Sequence, residues 1–153
     1  MSPMDTEEAA KRTKVLFVCT HNASRSQMAE GLLRHLSGGA FDVYSAGTEP
    51  GELHPLAVEA MAEEGIDISG QRAKSVDDFV RQAFDYVITL CDEANETCPF
   101  FPNARTRLHW SFPDPSTATG SHEERLAVFR EVRDGIRARV EKLVSAHDPG
   151  GSG

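Results

Sequence analysis

Runs of apolar residues along the chain predict four β-strands. Lys14–Val18 carries a continuous apolar run, which is typical of a strand buried on both faces of a parallel sheet. Phe41–Ala46 alternates apolar and polar positions and ends at a glycine, which predicts a second strand. Asp85–Leu90 predicts a third strand, and Arg105–His109 predicts a fourth.

Helical periodicity fills the intervals between these strands. Apolar residues recur at helical spacing over Ser26–Leu36, and Gly38 follows as a helix stop. A second helix is predicted over Pro55–Glu64 and a short polar one over Ser75–Gln82. The last helix starts at the capping box Ser121-His122-Glu123-Glu124. Its predicted core face carries Leu126, Phe129, Val132, Ile136, Val140 and Leu143.

This alternation of strands and helices predicts a single three-layer α/β/α domain around a parallel sheet. We assign residues 14–147 to this catalytic domain, residues 1–13 to a polar N-terminal extension and residues 148–153 to a flexible tail. In open parallel sheets the ligand binds beyond the carboxyl ends of the strands. Cys19 and Cys91 both follow directly after predicted strands, so we expect the chemistry at this edge.

Charge and composition exclude some classes of partner. The 153 residues carry a net charge of −8, which argues against non-specific nucleic-acid binding because such binding depends on an excess of Lys and Arg. No apolar run reaches the length of a membrane span, and the first residues lack the apolar block of a secretory signal. We therefore expect a cytoplasmic protein whose three cysteines serve redox or catalytic chemistry.

The loop after the first strand, Cys19-Thr20-His21-Asn22-Ala23-Ser24-Arg25-Ser26, has the features of a thiolate site. An ordinary thiol is mostly protonated at neutral pH and is then a poor nucleophile. Here the start of a helix, the Arg25 cation and the hydroxyls of Ser24 and Ser26 would stabilise the thiolate of Cys19. The alternative is a buried cysteine at a strand end and a surface arginine, which an isolated Cys-x5-Arg spacing would favour.

The five residues between Cys19 and Arg25 allow the backbone to form a cup whose amides point inward. A tetrahedral oxyanion in this cup would contact the amides, the Arg25 guanidinium and the Cys19 sulfur together. Asn22 suits the left-handed conformation that a cup without glycine requires. No Gly-Lys-Ser/Thr follows, so the loop is not a Walker A element. The predicted oxyanion-binding residues are Thr20, His21, Asn22, Ala23, Ser24, Arg25 and Ser26.

The segment Val15–Gly31 resembles the phosphate-binding loop of low-molecular-weight protein tyrosine phosphatases. It resembles still more closely the thioredoxin-coupled arsenate reductases that share that fold. Other segments extend the likeness over about residues 14–145 and imply four parallel strands in the order 2-1-3-4. They are Ser45-Ala46-Gly47, Gly65–Ser69, Thr89-Leu90-Cys91, Cys98-Pro99, His109-Trp110 and Asp114-Pro115.

The resemblance also implies roles for single residues. Cys19 would be the nucleophile, Arg25 the oxyanion clamp and Asp114 the general acid, since a departing oxide or hydroxide needs a proton. Without the resemblance, Asp114 would be interpreted as a turn residue, because Phe112–Ser116 is a strong turn sequence. The residues that would support the loop and the thiolate are Asn22 and Ser26.

Two further cysteines distinguish a reductase from a phosphatase. Reduction of arsenate to arsenite needs two electrons, which two thiols supply when they form a disulfide. Cys91 and Cys98 match the further redox cysteines of the reductase family. The resemblance therefore implies that Cys19 attacks arsenate, that Cys91 attacks Cys19 and releases arsenite, and that Cys98 moves the disulfide to Cys91–Cys98.

The leading hypothesis is an arsenate reductase that acts as a monomer without a tightly bound cofactor and is regenerated by thioredoxin. Phosphate and sulfate would compete with arsenate, and mycothiol or glutaredoxin stays open as the reductant. One alternative is a low-molecular-weight phosphatase that hydrolyses phosphomonoesters through a Cys19 phospho-enzyme. Another is a redox-sensing module that holds phosphate without turnover. An aromatic content of 7%, and Ser116 where phosphatases of this fold usually carry tyrosine, favour a small inorganic substrate.

The spacing of Cys91 and Cys98 predicts a segment whose conformation depends on redox state. In a helix these residues would lie about 10.5 Å apart along the axis. A disulfide tolerates Cα separations of at most about 7 Å. Residues 92–97 are polar and Pro99 blocks a helix, so unwinding should be easy.

One group of residues departs from the reductase pattern. Many of these reductases bind potassium beside the loop, through groups that correspond to Asn22, Glu30 and Ser45 and through a Thr and an Asp further on. The last two positions hold Arg72 and Lys74, which would repel potassium. We therefore expect no bound metal and no potassium dependence, with Lys74 paired with Glu30 as loop support. A surface role for Lys74 is the alternative.

Overall fold

The computed structural model describes residues 12–92 and 101–147. Its strands are β1 (Thr13–Cys19), β2 (Phe41–Gly47), β3 (Phe84–Thr89) and β4 (Ala104–His109). They form one parallel sheet in the order β2-β1-β3-β4. The four predicted strands and the strand order are therefore confirmed, with β1 starting at Thr13.

Three α-helices connect and follow these strands: α1 (Arg25–Ser37), α2 (Pro55–Ala62) and α3 (His122–His147). Gly38 ends α1 in the left-handed conformation, with φ of 61°. At the start of α3 the Ser121 hydroxyl accepts from the Glu124 amide over 3.1 Å, and the Glu124 carboxylate accepts from the Ser121 amide over 2.9 Å. The predicted capping box is therefore confirmed.

The short helix predicted over Ser75–Gln82 is wrong for most of its length. Only Val76–Asp78 form a single 3-10 turn, which the Ser75 hydroxyl caps at the Asp77 amide. The chain leaves the helical path at Phe79, whose ring is buried against Tyr44 and Phe84. Burial of this ring outweighs the weak preference of a polar stretch for a longer helix.

Side chains of β1 alternate between two hydrophobic clusters, one on each face of the sheet. Val15 and Phe17 belong to the larger cluster, to which all three α-helices contribute, including the predicted core face of α3. Leu16 and Val18 belong to the smaller cluster, which contains Phe79 and other residues of the second face. Because β1 is buried on both sides, its sequence is continuously apolar, as a central parallel strand requires.

Several predictions concern residues outside the described ranges. These are most of the N-terminal extension, the C-terminal tail, Cys98 and most of the segment 92–97. Within residues 12–92 and 101–147, no helix has both the length and the apolar character needed to cross a bilayer.

Candidate active site

Cys19 is the last residue of β1, and the loop that follows it leads directly into α1. Its thiol is free, and the residue is only 2% exposed. The hydroxyl oxygen of Ser26, in the first turn of α1, lies 2.9 Å from the sulfur. The start of a helix and a hydroxyl group thus meet at one buried thiol.

Backbone bonds to the connection between β2 and α2 hold the loop in shape. The carbonyl of Thr20 accepts from the amide of Glu49 over 2.8 Å, and that of His21 accepts from Gly51 over 2.9 Å. The carbonyl of Ala23 accepts from His54 over 2.9 Å. The N–H of a trans peptide points opposite to its C=O, so these outward carbonyls turn the next amides inward. These three bonds fix the backbone of the loop between Cys19 and Arg25.

Gly47, at the end of β2, permits this close approach. A Cβ atom at this position would lie 2.6 Å from the Thr20 carbonyl oxygen and 2.8 Å from the Asn22 amide nitrogen. Both neighbours are backbone atoms of the loop, so neither has a flexible end that can move aside. Only glycine fits here without displacing the loop after Cys19.

Asn22 connects the loop to its surroundings through its side chain. Its φ of 51° is the left-handed conformation predicted for this residue. Its Nδ2 donates to the Ser26 hydroxyl over 2.7 Å, while its Oδ1 accepts from the Lys74 amide over 2.8 Å. Buried Gln27 adds a second connection, since its Nε2 donates to the carbonyl of Asn22 over 2.9 Å and to that of Arg72 over 2.8 Å.

Arg25 is held almost completely buried at 1% exposure. Its Nη1 donates to the carbonyl of Phe112 over 3.1 Å and to that of Leu90 over 3.4 Å. Its Nη2 lies 3.8 Å from Oδ2 of Asp114. A guanidinium fixed in this way presents a permanent positive charge to the cavity that Arg25 and Cys19 both line.

Asp114 is a turn residue and also part of the site. Its Oδ1 accepts from the amide of Ser116 over 2.9 Å and from the Ser116 hydroxyl over 2.7 Å, and these bonds start the 3-10 turn Pro115–Thr117. Its Oδ2 is directed to Arg25. The local sequence thus forms the turn that it predicts, and the fold brings the same carboxylate within 3.8 Å of Arg25. One small cavity is lined by Cys19, His21, Ala23, Ser24, Arg25, Asp114 and Ser116.

His54 contacts Ala23, which lines this cavity, and the sequence did not predict this contact. Its amide holds the loop at Ala23, and its ring packs on Phe129 with centroids 4.7 Å apart. Burial lowers the pKa of His54 and Arg125 lowers it further, whereas Asp114 opposes this shift. The ring is therefore neutral at neutral pH, and its Nδ1 accepts from the Leu56 amide.

A buried carboxylate supports the loop from the other side. Glu30, 5% exposed, accepts from the Ser45 hydroxyl and pairs with Arg34 over 2.6 Å. The ammonium of Lys74 lies 3.7 Å from Oε1 of Glu30 and donates to the carbonyl of Arg72 over 2.9 Å. Burial lowers the pKa of Lys74, and Glu30 opposes that shift. The structure thus brings Glu30, Ser45 and Lys74 together.

Cys91 lies at the same edge of the sheet as Cys19. The amide of Leu90 donates to the carbonyl of Val18 over 2.8 Å, which joins the ends of β3 and β1. Cys91 is fully buried and takes part in a disulfide, whereas Cys19 is free. Cys91 is not among the residues that line the cavity, and Cys98 lies outside the described residues.

Potential metal ligands are scattered over the part of the chain that the structure describes. No three of its His, Cys, Asp or Glu side chains form a group that could hold a metal ion.

Comparison with known proteins agrees with this geometry and confirms the resemblance. A family model described as low molecular weight phosphotyrosine protein phosphatase matches residues 14–148. An arsenate reductase from Halalkalibacterium halodurans is 48% identical over 127 residues, which cover 83% of this chain and 91% of that protein.

Solved structures of similar proteins point the same way. An arsenate reductase in the phosphate binding state has a TM-score of 0.76 at 38% identity, covering 88% of this chain and 98% of that one. A thioredoxin-dependent arsenate reductase from Corynebacterium glutamicum has a TM-score of 0.69 at 34% identity, covering 93% of this chain and 65% of that one. The chain therefore belongs to the low molecular weight phosphotyrosine protein phosphatase family and, within it, to the arsenate reductases.

Proposed function

We propose that this chain reduces arsenate to arsenite through a relay of Cys19, Cys91 and Cys98. One observation carries the proposal: Cys19 is free in a cavity shared with Arg25 and Asp114, while Cys91 at the same sheet edge is in a disulfide that does not include Cys19. The proposed relay includes a state with this distribution, in which Cys19 is free and Cys91 is in a disulfide. Family membership supports the same activity.

In the first step the Cys19 thiolate attacks arsenic, and an As–O bond breaks. Arg25 and the inward amides balance the negative charge of the oxygens. The departing oxygen takes its proton from Oδ2 of Asp114, because Oδ1 is occupied by both donors of Ser116. The product is a covalent bond between the Cys19 sulfur and arsenic(V).

In the second step the Cys91 thiolate attacks the Cys19 sulfur. The S–As bond breaks and its electron pair stays with arsenic, which leaves as arsenite, and a Cys19–Cys91 disulfide forms. Cys98 then attacks Cys91 and releases the Cys19 thiolate. The two electrons gained by arsenic are those lost by the protein thiols, and an external dithiol restores them.

We propose a thioredoxin-like dithiol as that reductant, acting in the cytoplasm. The arsenate reductase from Corynebacterium glutamicum is described as thioredoxin-dependent. Dithiol proteins of a reducing compartment can reduce the disulfide that each turnover leaves.

Turnover of arsenate with thioredoxin, thioredoxin reductase and NADPH tests the relay. Cys19→Ser should abolish NADPH oxidation, and Cys91→Ser and Cys98→Ser should abolish multiple turnover. Cys98→Ser should still release about one arsenite per protein, since its first two steps are intact. Full multiple turnover by both the Cys91 and the Cys98 variant would refute the relay.

Weak phosphomonoesterase activity is a second expected property, because Cys19, Arg25 and Asp114 suffice to form and hydrolyse a phosphocysteine. The family model that matches this chain is described as a phosphotyrosine protein phosphatase. Hydrolysis of an aryl phosphate should disappear in Cys19→Ser and persist in Cys91→Ser and Cys98→Ser. Loss of this hydrolysis in Cys91→Ser and Cys98→Ser would show that hydrolysis of the aryl phosphate also requires these two cysteines.

A further inference from the structure

Ser24 occupies the N-cap of α1 but does not act as a cap. Serine at an N-cap normally accepts a hydrogen bond from an amide of the first turn, which stabilises the helix. Ser24 makes no such bond through its side chain, and its backbone has φ of −134° and ψ of −76°. The first amides of α1 are therefore not satisfied by their own cap residue.

The Ser24 hydroxyl is also buried without a partner. The residue is 4% exposed, and its Oγ forms no hydrogen bond with any described residue. Such a group usually destabilises a folded protein, because its lost hydrogen bonds to water are not replaced. Ser26 differs, because its hydroxyl contacts both the Cys19 sulfur and Asn22. The thiol already has its hydroxyl donor, so Ser24 is not needed for that role.

Ser24 lines the same cavity as Cys19, Arg25 and Asp114. An oxyanion there would supply what both features lack, namely an acceptor for the hydroxyl and a negative charge at the uncapped end of α1. We propose that Ser24 Oγ donates a hydrogen bond directly to an oxygen of the bound oxyanion. Ser24 is then a substrate-binding side chain and not only a backbone element of the loop. The part of this inference that concerns arsenate rests on the proposed function.

Inorganic phosphate tests the contact independently of reduction. Calorimetric titration of the reduced protein should show that Ser24→Ala and Ser24→Gly raise the Kd for phosphate by about ten- to a hundredfold, the effect of one hydrogen bond to a charged group. Ser37→Ala is the matched control, because Oγ of Ser37 at the far end of α1 is also buried without a described partner. It should leave the Kd unchanged.

Two further measurements separate a ligand contact from a structural role. Without phosphate, Ser24→Ala should melt at the same or a higher temperature than the wild type, because the variant loses an unsatisfied hydroxyl. The rate of Cys19 alkylation by iodoacetamide without phosphate should also stay unchanged. A Kd within twofold of the wild type in either Ser24 variant would overturn the proposal, as would slower alkylation with an unchanged Kd.

Arsenate kinetics then connect the contact to the reaction. Ser24→Ala should raise KM for arsenate by a similar factor. A wild-type protein that binds phosphate and reduces no arsenate would refute the proposed function and leave the phosphate result for Ser24 standing. Active reduction with an unchanged Kd in the Ser24 variants would refute only the contact.

Discussion

The sulfur of Cys19 and the hydroxyl oxygen of Ser26 lie 2.9 Å apart in a buried contact, and Asn22 contacts the same hydroxyl oxygen. Asn22 Nδ2 donates to the Ser26 oxygen over 2.7 Å. When the sulfur reacts as a thiolate it has no proton to donate, so Ser26 is then the donor in this contact. A donor that accepts a hydrogen bond itself is polarised and becomes a stronger donor.

Ser26→Ala should slow alkylation of Cys19 by iodoacetamide at neutral pH by about tenfold, because the thiolate loses a buried hydroxyl donor. The rate is measured by mass spectrometry in the absence of oxyanions. Ser24→Ala is the control and should react like the wild type. Equal rates in Ser26→Ala and wild type would mean that the 2.9 Å contact does not stabilise the thiolate.

Two substitutions of Asn22 should separate its backbone from its side chain. Asn22→Gly keeps the φ of 51° accessible and removes the bonds to Ser26 and the Lys74 amide. Asn22→Ala removes the same bonds and also strains the left-handed backbone, by about 1 kcal/mol more. Urea unfolding should therefore rank wild type above Asn22→Gly, and Asn22→Gly above Asn22→Ala. The reverse order of the two variants would refute backbone strain as a factor.

The predictable parts of this fold have their signal in consecutive residues. The apolar run of β1, the capping box at Ser121 and the stop at Gly38 each specify one element locally, and the structure contains all three. Asn22 was predictable for the same reason, since a cup without glycine needs a residue that tolerates positive φ.

Other parts of the site have no local signal. Glu49, Gly51 and His54 hold the loop through their amides, which every residue except proline possesses, so side-chain identity reveals nothing. Asp114 reaches Arg25 only because the fold joins distant segments, and its local sequence specifies a turn. The longer helix predicted over Ser75–Gln82 failed because long-range burial of Phe79 outweighed local preference.

Gly47→Ala should impair the loop, because the new Cβ would lie 2.6 Å from the Thr20 carbonyl oxygen. The backbone must shift by several tenths of an ångström, and such misplacement of catalytic groups lowers kcat/KM for arsenate by about 10–100-fold. Gly51→Ala is the matched control in the same connection, since its Cβ would meet only His21 Cβ at 3.9 Å. A Gly47→Ala enzyme as active as Gly51→Ala would show that the close approach is not needed for catalysis.

Lys74→Met should destabilise the fold by about 2 kcal/mol, because the buried Glu30 carboxylate loses the cation 3.7 Å away while the apolar stem is kept. Urea unfolding measures this loss, and exposed Lys142→Met is the control that should change stability little.

The wild type should turn over arsenate equally fast in potassium and sodium at fixed ionic strength. A sharp rise with potassium would contradict Lys74 as the resident cation.

Glu63 should make stability depend on acid pH. Its bonds to Arg130, and the further bond to Arg133, lower the pKa of Glu63 from 4.5 to about 2. Between these two pH values the unfolded chain binds more protons than the folded one, so the stabilisation is complete above about pH 5 and is lost as pH falls toward 2.

Glu63→Gln should therefore lower the free energy of unfolding at neutral pH by about 1 kcal/mol, a modest value because the carboxylate is one third exposed and screened by water. The difference between wild type and variant should shrink steadily below about pH 4.5, as measured by urea unfolding at several pH values. Glu141→Gln, which removes a more exposed partner of Arg137, should change stability by less than about 0.5 kcal/mol. If the Glu63→Gln difference stayed constant down to the lowest pH at which the protein folds, ionisation of Glu63 would not be the source of the stabilisation.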